Sequence, residues 1–197
     1  MDRRTAIRNI ALATGSVTLL TRCGFGEERL PIALNNLKVS VEQEDLLKEI
    51  VSVIIPQTDL PGAESLEVHN FVWVMADDCM DVKDQDRFMN GIGGVNKLLK
   101  HTRGQSFSEI EPAVRSEVLT EIVSFPADYA VPEDREGNPE FNLADIQYFV
   151  GQTKRFTIEG FMDSEYIMTE VMPYKLVPGP ASGCLKVDPA KRINING

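Results

Sequence analysis

Between Ile146 and Phe161 the side chains Ile146, Phe149, Val150, Phe156, Thr157, Gly160 and Phe161 return at intervals of three and four. That period sets them in one stripe along an α-helix, opened by Asn142 as its N-cap. A stripe this wide and this aromatic is stable only when other elements cover it, because packing supplies most of a helix's stability in a protein. Everything else in the chain has to be read as cover for this segment.

The cover is helical. Ser40 is followed three residues later by Gln43, the spacing of a capping box, and Leu46, Leu47, Ile50, Val51 and Ile54 then recur with helical period until Pro56. Glu64 to Met80 places Val68, Phe71, Val72, Met75 and Cys79 on one face, which predicts a second helix with Cys79 turned inward. Asp84 to His101 carries Phe88, Ile92, Val95, Leu98 and Leu99, interrupted by Gly91, Gly93 and Gly94, whose low helix propensity points to close packing. A fourth helix is expected from Glu111 to Val123, with Pro112 tolerated in its first turn. Met162 to Met172 continues or kinks the core helix. Nowhere do apolar and polar residues alternate as in a half-buried strand. The fold class is all-α, a compact irregular bundle of about five helices.

Between these elements, Pro56-Gln-Thr-Asp-Leu-Pro-Gly62 holds residues that fix turns, so a structured loop is expected. Pro126 to Pro139 reads as a polar connection. From Pro173 the chain contains four prolines and no period, which predicts an extended arm. The expected organisation is a leader over residues 1–23, a tether over 24–39, and one helical domain over 40–197 whose tail begins at about 173.

The leader rests on Arg3 and Arg4, with Arg8 after them, ahead of a short apolar stretch from Ile10 to Leu20. A charged segment followed by a short apolar one has the order of an export signal, and the adjacent arginines resemble the twin-arginine type. The stretch is too short and too polar for a membrane-spanning helix, which takes about 20 mostly apolar residues. The expected location is the periplasm. Cys23 closes the leader where lipoproteins carry an acylated cysteine, although Arg22 is larger than the residue usual before it. Lipid anchorage through Cys23 and simple cleavage nearby both stay open.

Export bears on the other cysteines. With Cys23 used by an anchor, Cys79 and Cys184 are left as an even pair, and an oxidising compartment favours a disulfide between them. Such a bond would be worth about 4–5 kcal/mol on the chain-entropy model. Two buried free thiols are the alternative. Removing residues 1–22 takes away four arginines and Asp2 from the chain's 20 basic and 30 acidic residues, which leaves a net charge of −13. That charge argues against a nucleic-acid partner.

Catalytic motifs are absent from the sequence. Gly91-Ile-Gly-Gly lacks the strand before it and the third glycine of a dinucleotide loop. There is no Cys-x-x-Cys-His for covalent haem, and His69 and His101 are too isolated to suggest a metal site. Ser164, Glu165 and His69 lack the sequence context of a hydrolase nucleophile. Asp77 with Asp78, and Glu109 with Glu111, read as solvated acidic surface. No catalytic, cofactor-binding or metal-ligating residue is expected in this chain.

Three segments together carry a resemblance. They are Ile54-Ile-Pro-Gln-Thr-Asp-Leu-Pro-Gly-Ala63, then Val68-His-Asn-Phe-Val72, then Phe156-Thr-Ile-Glu-Gly-Phe-Met-Asp-Ser-Glu165 with Tyr174 and Pro178-Gly-Pro-Ala-Ser-Gly-Cys184 behind it. They resemble the gluconate 2-dehydrogenase subunit 3 family, the small subunit of exported flavin-dependent sugar and sugar-acid dehydrogenase complexes. The resemblance implies a non-catalytic accessory subunit. Its partners would be a large flavoprotein subunit holding FAD and substrate, and a cytochrome c subunit carrying haem. By the same resemblance the small subunit carries the export signal for a folded partner, and Asp59, Pro61, Gly62, Glu159 and Tyr174 become candidate partner contacts. Each also has a purely structural role open to it: Asp59 as a turn cap, Glu159 as an acceptor for a backbone amide. A free-standing exported lipoprotein that binds a ligand or protein is the alternative function.

Overall fold

The computed structural model describes residues 33–133, 139–172 and 184. Among the described residues there are five α-helices: α1 (Val41–Ile54), α2 (Val68–Asp78), α3 (Val82–Arg103), α4 (Arg115–Ser124) and α5 (Leu143–Met162). Two 3-10 turns, Phe107–Glu109 and Pro112–Val114, lead into α4, and a π-helical turn, Ile167–Val171, follows α5. Among the described residues there is no strand, only an isolated bridge between Glu133 and Pro139. The fold is all-α, as the periodicity required.

Local chemistry sets the helix ends. Ser40 Oγ accepts from Gln43 N at 3.3 Å while Ser40 N donates to Gln43 Oε1 at 3.0 Å, a complete capping box. Asp81 caps α3 through Asp84 N at 2.9 Å. Gly104, at φ 72°, ends that helix in the left-handed conformation that glycine adopts without steric cost. Asn142 opens α5 by accepting from Ala144 N and Asp145 N.

The core helix of the sequence is the central helix of the fold. α5 contacts all four other α-helices, most extensively α3. The reason lies in two glycines of α3: a Cβ on Gly91 would stand 2.3 Å from the Asp145 carbonyl oxygen, and one on Gly94 would stand 2.8 Å from the Ile146 side chain. Only glycine lets the two backbones come this close. Gly93 faces open space and plays no part in the approach. At the same contact Trp73, Phe88 and Phe149 meet edge to face, with ring centroids 6.0 and 4.9 Å apart, a geometry that adds to the burial of each ring.

Several expectations are corrected. α2 begins at Val68 rather than Glu64, because residues 63–67 are wound into turns that end with Glu67 at φ 52°. Cys79 does not face the interior. It is the C-cap of α2, where the helical path has already ended, and it is an exposed free thiol, so the bond to Cys184 is not formed in this structure.

Asp77, read as solvated surface, is buried, and its carboxylate accepts from three consecutive backbone amides, Asn35 at 2.6 Å, Asn36 at 2.9 Å and Leu37 at 2.7 Å. Its own carbonyl accepts from Asn36 Nδ2 at 3.0 Å and Gln85 Nε2 at 2.6 Å. Within the stretch read as a tether, Leu34, Leu37 and Val39 are therefore already packed on the core. Burial pushes the Asp77 carboxyl up, and the amides of Asn35, Leu37 and Asn36 together outweigh it, holding the group below the usual carboxylate range.

Candidate functional site

The loop from Ile55 to Glu67 is rigid because its polar groups are used internally. Thr58 N donates to Leu60 O at 3.0 Å, Leu60 N donates to Thr58 Oγ1 at 3.3 Å, and Ala63 N closes the loop on Ile55 O at 3.0 Å. Gln57 Oε1 accepts from Gly62 N at 2.8 Å and from Ser65 Oγ at 3.1 Å. Gly62 is buried, and a Cβ there would lie 2.7 Å from Gln57 N, so the loop is folded onto its own backbone at that point. Gln57 and Thr58 perform the capping that Asp59 was a candidate for. Asp59 itself is exposed, and Pro61 is half-buried.

Two shallow clefts flank this loop. One, of about 430 Å³, is lined by Ser52, Ile55, Gln57, Gly62, Glu64, Ser65 and Glu67. The other, of about 440 Å³, runs between Ser65, Leu66 and Glu67 on the loop and Ser164, Glu165, Tyr166, Thr169 and Glu170 beyond α5. The loop motif and the end of the α5 motif, about a hundred residues apart in sequence, thus share one cleft. Sequence reasoning had singled out neither Ser65 and Glu67 nor their pairing with Ser164 and Glu165. The joint behind the cleft is the contact of Gly160 with the Phe71 ring.

This arrangement suits recognition better than chemistry. The Ser164 hydroxyl donates to Phe161 O at 2.7 Å, and Thr169 Oγ1 donates to Glu165 O at 2.8 Å, so both are tied back to their own turns. His69 is only 6% exposed and lines neither cleft. It sits by the Glu44–Lys48 pair, whose Nζ and Oε1 are 2.5 Å apart. Burial, with Lys48 nearby, draws the imidazole below its ordinary value against the opposing pull of Glu44, Glu67 and Glu64. Among the described residues no three His, Cys, Asp or Glu side chains could hold a metal ion, and no helix is long and apolar enough to cross a membrane.

Of the other candidate contacts, Glu159 is exposed on α5 and its side chain takes no backbone amide among the described residues. Arg3, Arg4, Cys23 and Tyr174 lie outside the described residues. Cys184 is exposed.

These features define a small all-α domain organised on one central helix, with a closed loop at the start of α2 abutting the turn that follows α5. The chain belongs to the gluconate 2-dehydrogenase subunit 3 family, whose model matches residues 41–179. Comparison with curated proteins and with solved structures found no match.

Proposed function

We propose that this chain is the non-catalytic small subunit of an exported flavin-dependent dehydrogenase complex of the GMC type, acting on gluconate or a related sugar or sugar acid. The large subunit would hold FAD and substrate, and a cytochrome c subunit would take the electrons. The small subunit would help export, mature or attach the large one, in the periplasm, with Cys23 as a lipid anchor. The observation that carries this reading is membership of the subunit 3 family over residues 41–179. The geometry is compatible with it, since the motif segments share one cleft whose Ser164 and Thr169 hydroxyls are committed to their own turns. Arg3 and Arg4 supply the route, because a leader of that type moves folded cargo.

The test is deletion of this chain's gene in the native host, followed by fractionation and assay of flavin-dependent sugar-acid oxidation. The expected result is loss of that activity from the envelope and retention of the large subunit in the cytoplasm. Normal export and full activity without this chain would overturn the reading. So would turnover of gluconate by the purified chain alone with an artificial electron acceptor.

A further inference from the structure

At 3.6 residues per turn, Gly151, Arg155, Ile158 and Met162 fall on one line along α5, opposite the buried stripe, with Lys154 beside them. The line is covered at its N-terminal end, where Gln147 Nε2 donates to the carbonyls of Ile122, Val123 and Phe125 at 3.2, 3.3 and 2.9 Å. Beyond Gln147 the cover stops. Ile158 is 46% and Met162 41% exposed. A groove of about 350 Å³ meets the line at Gly151 and Lys154, lined by Val53, Leu119, Val123 and Val150 together with three hydroxyl side chains of α4. A Cβ on Gly151 would meet nothing within 4 Å, so no internal packing accounts for the missing side chain. Exposed apolar side chains close to a partly apolar groove are a feature of interaction sites.

We infer that this face of α5 seats an apolar and acidic segment of the large dehydrogenase subunit. The inference rests on the proposed function, and charge selects the occupant. Lys154 and Arg155 have no ion pair among the described residues, and the Arg155 guanidinium lies over the Phe156 ring at 4.5 Å. They are adjacent cations, Arg155 on the line and Lys154 beside it, with exposed Glu159 on the other flank, in a chain of net charge −10. A second copy is disfavoured, because a two-fold contact would face these cations with themselves and join two chains of like net charge. The chain's own C-terminal segment is disfavoured as well: residues 173–197 carry Lys175, Lys186, Lys191 and Arg192 against Asp188 alone. Two cations are too few to hold an anionic lipid surface, which takes clusters of about four to eight. An acidic, apolar segment of another protein satisfies both the line and its cations.

The test uses the tagged full chain in its native host. Captured dehydrogenase is recognised by its flavin absorbance and its oxidation of a sugar acid with an artificial acceptor. Two double variants are compared with wild type, Lys154→Glu with Arg155→Glu and Ile158→Asp with Met162→Asp, and Val82→Asp is the control, since Val82 is 73% exposed on α3. Circular dichroism and Tm verify folding.

Capture should fall about tenfold or more in both double variants and stay unchanged in the control. Equal capture by every folded variant would overturn the inference and leave the proposed function standing. No dehydrogenase captured by wild type would overturn the function and the inference together. Sedimentation of the purified chain as a dimer that the double variants split would assign the face to a second copy and overturn the inference. Should the aspartate pair fail to fold, salt decides: capture by wild type that does not weaken between about 0.05 and about 0.5 M salt rules out the cationic seat.

Discussion

Gly160 of α5 lies directly against the ring of Phe71 on α2, so close that a Cβ on Gly160 would stand 2.5 Å from Phe71 Cδ1 and 3.2 Å from Phe71 Cβ. The ring tip could swing away, but Phe71 Cβ moves only with α2 itself. Gly160→Ala is expected to destabilise the domain by about 1–3 kcal/mol, the usual cost of overpacking. Gly91→Ala should cost more than Gly160→Ala, because its obstacle is the Asp145 backbone. Gly93→Ala, with nothing within 4 Å, should stabilise by about 0.5–1 kcal/mol through helix propensity alone. Urea denaturation of the three variants gives the order, and a Gly93→Ala variant as damaging as Gly91→Ala would refute the packing argument.

Asp77→Ala should release residues 35–37 while leaving the helices intact. The three amides that Asp77 accepts lie at a partly exposed edge, so water can replace the carboxylate, at a cost of about 1–3 kcal/mol. Hydrogen exchange at Asn35, Asn36 and Leu37 should accelerate strongly. The sign with pH follows from the lowered folded pKa: the stabilisation is complete above the unfolded carboxyl's ordinary value near 4 and is lost as pH falls through the folded one. Protection of those amides that shows no decline on acidification would contradict this account.

His69 contributes with the opposite chemistry. Its Nδ1 is buried without a hydrogen-bond partner among the described residues, and its folded pKa lies below the ordinary value near 6.5. Below about pH 6.5 the unfolded chain binds a proton that the folded one does not, so stability falls as pH drops from there toward the folded pKa. His69→Leu should flatten the stability profile below about pH 6.5. An unchanged slope in Tm against pH would assign the acid sensitivity elsewhere.

Glu67 holds φ 52° at the N-cap of α2 and makes no side-chain cap there. The left-handed region costs an ordinary side chain about 1 kcal/mol, and asparagine tolerates it better and caps well. Glu67→Asn should raise stability by about 0.5–1 kcal/mol in thermal denaturation. A loss would mean that the glutamate side chain contributes to the adjoining cleft.

The helices were legible because each carries its own periodic stripe, and Ser40 with Gln43 announced the first cap. Gly91 and Gly94 were legible as close-packing positions, although only the three-dimensional contact separates them from Gly93. Cys79 was misplaced for a definite reason: periodicity was extended one residue past the point where α2 ends. Asp77 was missed because its partners are backbone amides some 40 residues away, and an amide has no signature in a sequence. The cleft between Ser65 and Ser164 was hidden similarly, as a product of how α2 crosses α5. Of the loop candidates drawn from resemblance, Gly62 lines the first cleft, while Asp59 and Pro61 line neither.

The bond between Asp77 and residues 35–37 can exist only after α2 has formed and docked. The direction in which the chain enters the domain at residue 33 is consequently a readout of completed folding. A single buried carboxylate on α2 thus holds the first described stretch of the chain at a fixed angle to the helices.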